Sequence, residues 1–202
     1  MNRVVVGIPT RDEMVTDTAF CLAALAAYEV ARGETFGFIN PRGSLLSVSR
    51  NHIVDEAMAQ DATHILFVDS DMTFPSDGLK RLLAHGESLV GTNYPTRRRP
   101  VRPTAVGMEG RLIYETDQQG LERVRGIGLG FCLIEVDVFR AMSRPWFCDG
   151  WDAKRESFTG EDSHFCLTVP YPVLIDHDLS REIGHVGAYE FTHADTEALR
   201  DG

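Results

Sequence analysis

Short apolar runs alternate with amphipathic stretches along the first half of the chain. Val4–Ile8 is apolar, stops at Pro9, and reads as a buried strand. An alanine-rich stretch from Asp17 to Arg32 predicts a helix, with Thr16 or Asp17 as its cap and Gly33 as its terminator. Thr35–Ile39 predicts a second strand. Ser49–Gln60 predicts a second helix, with Ile53, Val54, Ala57 and Met58 on one face. Residues 65–68 predict a third strand, Ser76–His85 a helix capped after Pro75, and Ser88–Gly91 a fourth strand. Strand and helix alternating in this way predict a parallel sheet with right-handed crossovers.

The second half changes character. Residues 111–115 and 121–125, on either side of Gln118-Gln119-Gly120, predict an antiparallel hairpin. Phe131–Glu135 predicts a strand, 136–142 a short helix, Glu161–Leu167 a helix and Tyr171–Asp176 a further strand. No repeat or low-complexity linker interrupts the chain. The change near residues 92–104 therefore reads as a seam inside one domain spanning 1–202, with 1–92 and 93–202 as its halves.

Composition narrows the class. At 202 residues, 43% hydrophobic and 25% charged, the chain has the size and make-up of one soluble domain. No apolar run approaches the length of a membrane span, and the N-terminus enters a strand with no cleavage pattern. Cys21, Cys132, Cys148 and Cys166 are widely spaced and read as reduced core thiols, which points to a cytoplasmic protein. The net charge of −10 argues against broad nonspecific binding of nucleic acid, although it leaves room for a local basic groove.

Candidate chemistry concentrates where strands end. Ile65-Leu66-Phe67-Val68 leads into Asp69-Ser70-Asp71, two carboxylates one residue apart at the carboxyl end of a strand. Ligands of open α/β sheets gather at such ends. Paired carboxylates there suit a hard divalent cation shared with substrate phosphates; the plainer alternative is that they cap the next helix. Four arginines in Arg97-Arg98-Arg99-Pro100-Val101-Arg102 can hold phosphates, or form a solvated basic loop. Gly126-Ile127-Gly128-Leu129-Gly130 precedes a strand, which is the wrong context for a dinucleotide fingerprint. Its glycines instead allow close approach to a ligand or to a neighbouring strand. Glu161 and Asp162 open a helix, where carboxylates are stabilised in any case, and one of them can act as a general base. His185 stands between Gly184, Val186 and Gly187, beyond the last predicted strand, and reads as either a structural residue or a ligand.

Together these motifs resemble the GT-A fold nucleotide-sugar glycosyltransferases, especially short members of glycosyltransferase family two. The resemblance runs from Gly7 to about Gly187. Its markers are Ile8-Pro9-Thr10, Ser49-Arg50-Asn51, the Asp69-Ser70-Asp71 DxD motif, Gly128-Leu129-Gly130-Phe131, Gly160-Glu161-Asp162 and Gly184-His185-Val186-Gly187, in the family's order. It implies a GT-A-like Rossmannoid α/β fold, three-layer α/β/α, with a mostly parallel central sheet and a small antiparallel extension in the second half. It also implies a Mn2+ or Mg2+ ion held by Asp69, Asp71 and His185. Pro9, Thr10, Arg11, Arg50, Asp69, Ser70, Asp71 and Gly128 would bind a nucleoside-diphosphate sugar, with a UDP-sugar the common case. Asp162 would be the base and Glu161 its neighbour. The acceptor would be a hydroxyl on a glycan, a protein or a modified DNA base. Where many members carry a base-reading aspartate, this chain has Asn40-Pro41-Arg42. Small stand-alone enzymes of this kind are similar to virus- or bacterium-encoded sugar transferases.

Two other readings compete. Asp69-Ser70-Asp71-Met72-Thr73 also fits the motif of haloacid-dehalogenase-like phosphatases, with Asp69 as nucleophile, but that motif normally ends the first strand of its domain. A GT-A-like sugar-binding module without activity is the other; retention of both DxD carboxylates, the Glu-Asp pair and His185 speaks against it.

Overall fold

The computed structural model of the chain describes residues 2–114, 117–153, 156–187, 190–193 and 196. Its first half follows the predicted alternation: β1 (Val4–Gly7), α1 (Thr16–Ala31), β2 (Phe36–Ile39), α2 (Leu46–Ala59), β3 (His64–Val68), a two-residue β4 (Met72–Thr73), α3 (Gly78–Ala84) and β5 (Leu89–Gly91). There follow β6 (Val106–Gly107), β7 (Leu121–Gly126), β8 (Phe131–Glu135), α4 (Val136–Arg140), β9 (Gly150–Asp152), β10 (Ser157–Thr159), α5 (Glu161–Thr168), β11 (Val173–Asp176), α6 (His177–Ser180), β12 (Gly184–Val186) and β13 (Glu190–Phe191).

The main sheet has the order β2-β1-β3-β8-β5-β11-β7-β6. β1 pairs in parallel with β2 and β3, and β5 with β11. β8 is antiparallel to both of its neighbours, and β7 is antiparallel to β11 and β6. Six strands therefore run one way, with β8 and β7 reversed. Burial on both faces explains the apolar runs. In β3, Ile65 and Phe67 enter one apolar cluster with Ile53, Phe139, Phe147 and Phe165 from the helix layer and loops on that side. Leu66 and Val68 enter the other, with Leu22 and Leu25 of α1 and Leu79 and Leu82 of α3. Helices on both faces make the domain three-layered, as expected.

Several details depart from the sequence reading. β8 is a central strand inserted between β3 and β5, which do not pair; its Phe-Cys-Leu-Ile run is buried on both faces and so belongs in the interior. The predicted hairpin of 111–115 with 121–125 does not form. β7 pairs instead with β11, placing Val173 opposite Val124, its buried side chain, while Leu112 makes only an isolated bridge to Val106. Glu115 lies outside the described residues. α1 begins at Thr16 after Val15, without a side-chain cap, and the Val15 N–H donates to the Ser70 carbonyl (2.9 Å). α3 starts at Gly78 rather than Ser76, and a Cβ on Gly78 would stand 2.9 Å from the Phe131 ring. Gly33 terminates α1 with φ of 77°, the left-handed conformation expected of it. No described helix is long and apolar enough to cross a membrane.

Asn51 ties α2 to the segment after α4. Its Nδ2 donates to the carbonyls of Ser47 and Phe147, both at 2.7 Å, and its Oδ1 accepts from the Trp146 N–H at 3.0 Å. Asn51→Ala strands the Trp146 donor and the Phe147 acceptor, and should lower unfolding free energy by about 2 kcal/mol. Urea unfolding should show a reduced midpoint with an unchanged slope.

Candidate active site

α2 turns Ser49, Arg50, Ile53, Val54 and Ala57 inward. Arg50 is the one charged residue among them, a guanidinium 2% exposed. Its Nη2 donates to Asp69 Oδ1 at 2.7 Å, and its Nη1 to Glu161 Oε1. One buried cation thus joins α2, the end of β3 and the first residue of α5. Burial alone would lower its pKa, but the charges of Asp69 and Glu161 outweigh burial and raise it. Glu161 is also raised: burial and the nearby Asp162 and Asp69 outweigh the help it receives from Arg50. The Asp69 N–H donates to the Gly130 carbonyl at 3.0 Å, so the reversed strand β8 begins beside the DxD motif.

Asp71 sits in a second cluster. β4 pairs with β12, setting His185 opposite Met72, and the Val186 N–H donates to the Asp71 carbonyl at 2.8 Å. His185 is therefore a strand residue, not part of a loop beyond the last strand. The signal missed in the sequence was the two-residue stretch Met72-Thr73, which gives it an edge to join. His185 Nε2 lies 3.3 Å from Asp71 Oδ1, and Arg97 Nη2 lies 2.9 Å from Asp71 Oδ2. On its other side, His185 Nδ1 lies 2.9 Å from the Pro95 carbonyl. A carbonyl only accepts, so Nδ1 carries the proton. In the neutral ring Nε2 then presents a lone pair to a carboxylate oxygen. Two acceptors face each other at this distance only with a cation or a proton between them. The Nδ1–H to carbonyl bond is also the usual way of orienting a metal-binding imidazole.

Asp71 and His185 thus come together as expected, while Asp69 turns to Arg50. Among the described residues no three His, Cys, Asp or Glu side chains form a cluster able to hold a metal unaided. Two such ligands suffice where substrate phosphates and water supply the rest. His193 is buried elsewhere, against the Asn93 carbonyl.

The other expected residues divide. Pro9 and Thr10 are buried, and Thr10 bridges to Arg42, so the Asn40-Pro41-Arg42 segment lies directly beside the first strand's end. Asn40 Nδ2 donates to Thr10 Oγ1 at 3.0 Å and to the Ile8 carbonyl at 2.8 Å. Arg11 is exposed. Ser70 contributes its carbonyl to the start of α1. Gly128 and Gly130 make room for Tyr94: a Cβ on Gly130 would lie 2.6 Å from the phenol oxygen, and the Gly130 N–H donates to that oxygen at 2.9 Å. Burial, with Asp69 and Asp162 nearby, holds the Tyr94 phenol well above its ordinary pKa. Sequence reasoning missed Tyr94, although the alternating glycines marked the space a ring would fill. Asp162 is half-buried, with Oδ1 accepting from the Ser163 N–H at 2.6 Å. It lines a cleft of about 650 Å³ together with Gly128, Thr159 and Arg102. Also unforeseen, Trp151 and Phe158 are exposed and meet edge to face, ring centroids 5.0 Å apart, on the β9–β10 hairpin leading into Asp162.

As for the phosphatase reading, Asp69 follows the third strand and not the first, and its Oδ1 is engaged by Arg50. Both facts weigh against a free nucleophile.

The backbone is similar to that of A197 from STIV, with a TM-score of 0.60 and 18% identity, covering 93% of this chain and 86% of that one. It is also similar to a glycosyltransferase involved in the glycosylation of the major capsid of PBCV-1, with a TM-score of 0.52 and 10% identity, covering 100% of both chains. By sequence, no protein-family model and no curated protein matches the chain. At these identities the likeness is one of fold, and that fold is the GT-A-like arrangement expected from the motifs.

Arg50→Met leaves two carboxylates facing a buried gap and should cost about 3–5 kcal/mol of stability. Adding Glu161→Gln to that variant should recover part of the loss, read by urea unfolding. In wild type the folded state binds the Glu161 proton more tightly than the unfolded state, since its carboxyl is raised from the ordinary 4.5. Glu161 therefore makes stability fall as pH rises through that raised value. Unfolding free energies measured without divalent metal from pH 4.5 upward should show this slope in wild type and a shallower one in Glu161→Gln, where Glu29, whose carboxyl burial also raises, keeps its own contribution.

Proposed function

We propose that the chain is a metal-dependent glycosyltransferase that moves a sugar from a nucleoside-diphosphate donor to a hydroxyl acceptor. The observation that carries this reading is the facing pair of Asp71 Oδ1 and His185 Nε2, 3.3 Å apart at a strand end, with the Arg97 guanidinium beside them. That donor set suits a Mn2+ or Mg2+ ion whose remaining positions belong to phosphate oxygens and water. Bound there, the ion would neutralise the charge that grows on the diphosphate as it leaves. The fold shared with a solved glycosyltransferase supports the same assignment.

The chain's own residues divide the work. Arg97 offers a guanidinium to the diphosphate. Arg50 holds Asp69 and Glu161 in place and keeps their charge compensated. Pro9, Thr10 and Arg42 border the strand ends where the nucleoside, with uridine favoured, would lie. Asp162 takes the proton of the acceptor hydroxyl as its oxygen bonds to the anomeric carbon. The bond from that carbon to the diphosphate breaks, and the nucleoside diphosphate departs with the electron pair. Attack on the face opposite the leaving group inverts the anomeric centre, through an oxocarbenium-like transition state.

Titration calorimetry of UDP should show binding with Mn2+ and a large loss with chelator, and Asp71→Asn should remove the metal dependence. Equal affinity with and without metal would sink the assignment of Asp71 and His185. Asp162→Asn should reduce turnover by about 10²–10⁴-fold while UDP affinity stays near wild type. NMR of the product should show inversion; a retained configuration would remove Asp162 from the role of base.

A further inference from the structure

The cleft beside Asp162 carries two cations that leave a second charge requirement unexplained. Arg102 and Arg125 both line it, with Gly128, Thr159 and Asp162. In this acidic chain Arg81, Arg140, Arg144 and Arg181 each hold a carboxylate. Among the described residues neither Arg102 nor Arg125 does so. Arg102 is placed by paired backbone, while Arg125 is the residue passed over where β7 shifts register against β6. Arg125 lies in β7, and Arg102 is fixed to Thr96, whose N–H donates to the Arg102 carbonyl at 2.7 Å while its hydroxyl accepts the Arg102 N–H at 3.2 Å. The turn through Gly110 closes on Arg125, since a Cβ there would lie 3.7 Å from its Nη1. Two guanidiniums lining one cleft, neither held in an ion pair among the described residues, attract an anion and can bind its oxygens with charge-assisted hydrogen bonds. Asp162, on the same cleft, repels that anion. A molecule bearing both a negative group and a hydroxyl is thereby oriented, with the negative group at the arginines and the hydroxyl free to lie toward Asp162.

We propose that this cleft takes an anionic acceptor, a sugar or polyol carrying a phosphate or carboxylate, held by Arg102 and Arg125. The proposal rests on the assignment of Asp162 to the acceptor side. The donor's own diphosphate is the other possible source of an anion, and the test separates the two.

Glucose, glucose 6-phosphate and glucuronate are titrated by calorimetry into the protein, with and without saturating UDP and Mn2+. The two anionic hexoses should bind about tenfold more tightly than glucose in both conditions. In R102Q/R125Q, shown folded by circular dichroism, the three affinities should fall within about twofold of one another, and R102K/R125K should keep most of the preference. Equal binding of glucose and the anionic hexoses overturns the proposal, as does a failure of both anionic hexoses to bind. A preference present only without UDP puts the arginines on the donor's diphosphate, and also overturns it. Failure of wild type to bind UDP overturns the transferase reading instead; the titration without nucleotide then still decides whether the cleft selects an anion.

Discussion

A buried guanidinium organises this domain. Arg50 points from α2 into the space between the end of β3 and the start of α5, where Asp69 and Glu161 receive it. Desolvating an arginine is costly, and only paired, well-directed carboxylates offset that cost. The three elements are therefore constrained together: moving α5 away from β3 would leave a charge without a partner in an apolar setting. An all-apolar contact would pack as firmly without fixing which residue faces which. The ion pair fixes the direction of Asp69, and with it the register of the acidic turn that follows.

From that turn the site divides by charge. On one side Asp71, His185 and Arg97 form a compact group whose acceptor atoms face one another. On the other Asp162 opens onto a roomy cleft walled by arginines. Tyr94 stands between, its ring filling the volume left by two glycines and lying nearly perpendicular to that of His185, with centroids 5.4 Å apart. The neutral phenol is a spacer as well as a hydrogen-bond acceptor, since burial holds its pKa high and keeps a further negative charge out of an already acidic centre.

Much of this was legible in the sequence because it is local. The apolar run before Asp69 announced a strand buried on both faces, and a carboxylate at its end needed no further information. The helix carrying Arg50 was equally readable from its apolar face, although it starts a turn earlier than its pattern suggested. What was illegible is non-local. Nothing in Phe131–Glu135 reveals that it enters the sheet reversed, between two strands that come earlier in the chain. The pairing of Met72-Thr73 with Gly184-His185 likewise depends on strands too short to show a period. The Arg50–Glu161 contact was hidden by the helix-start reading of Glu161, which explains a carboxylate without requiring a partner.

The reversed insertion of β8 has a consequence for how the chain comes to be folded. Until Phe131–Glu135 is in place, β3 has one unpaired edge, and β5 lacks its neighbour on that side. Both strands are apolar and are complete by Gly91. A chain emerging from the ribosome thus holds two sticky strand edges while the segment that closes them is still being made. Such edges are templates for pairing with another copy, and closing them needs contacts between residues far apart in sequence, which form slowly. The arrangement that brings the glycine turn against Asp69 in the finished protein therefore leaves the unfinished one exposed to aggregation.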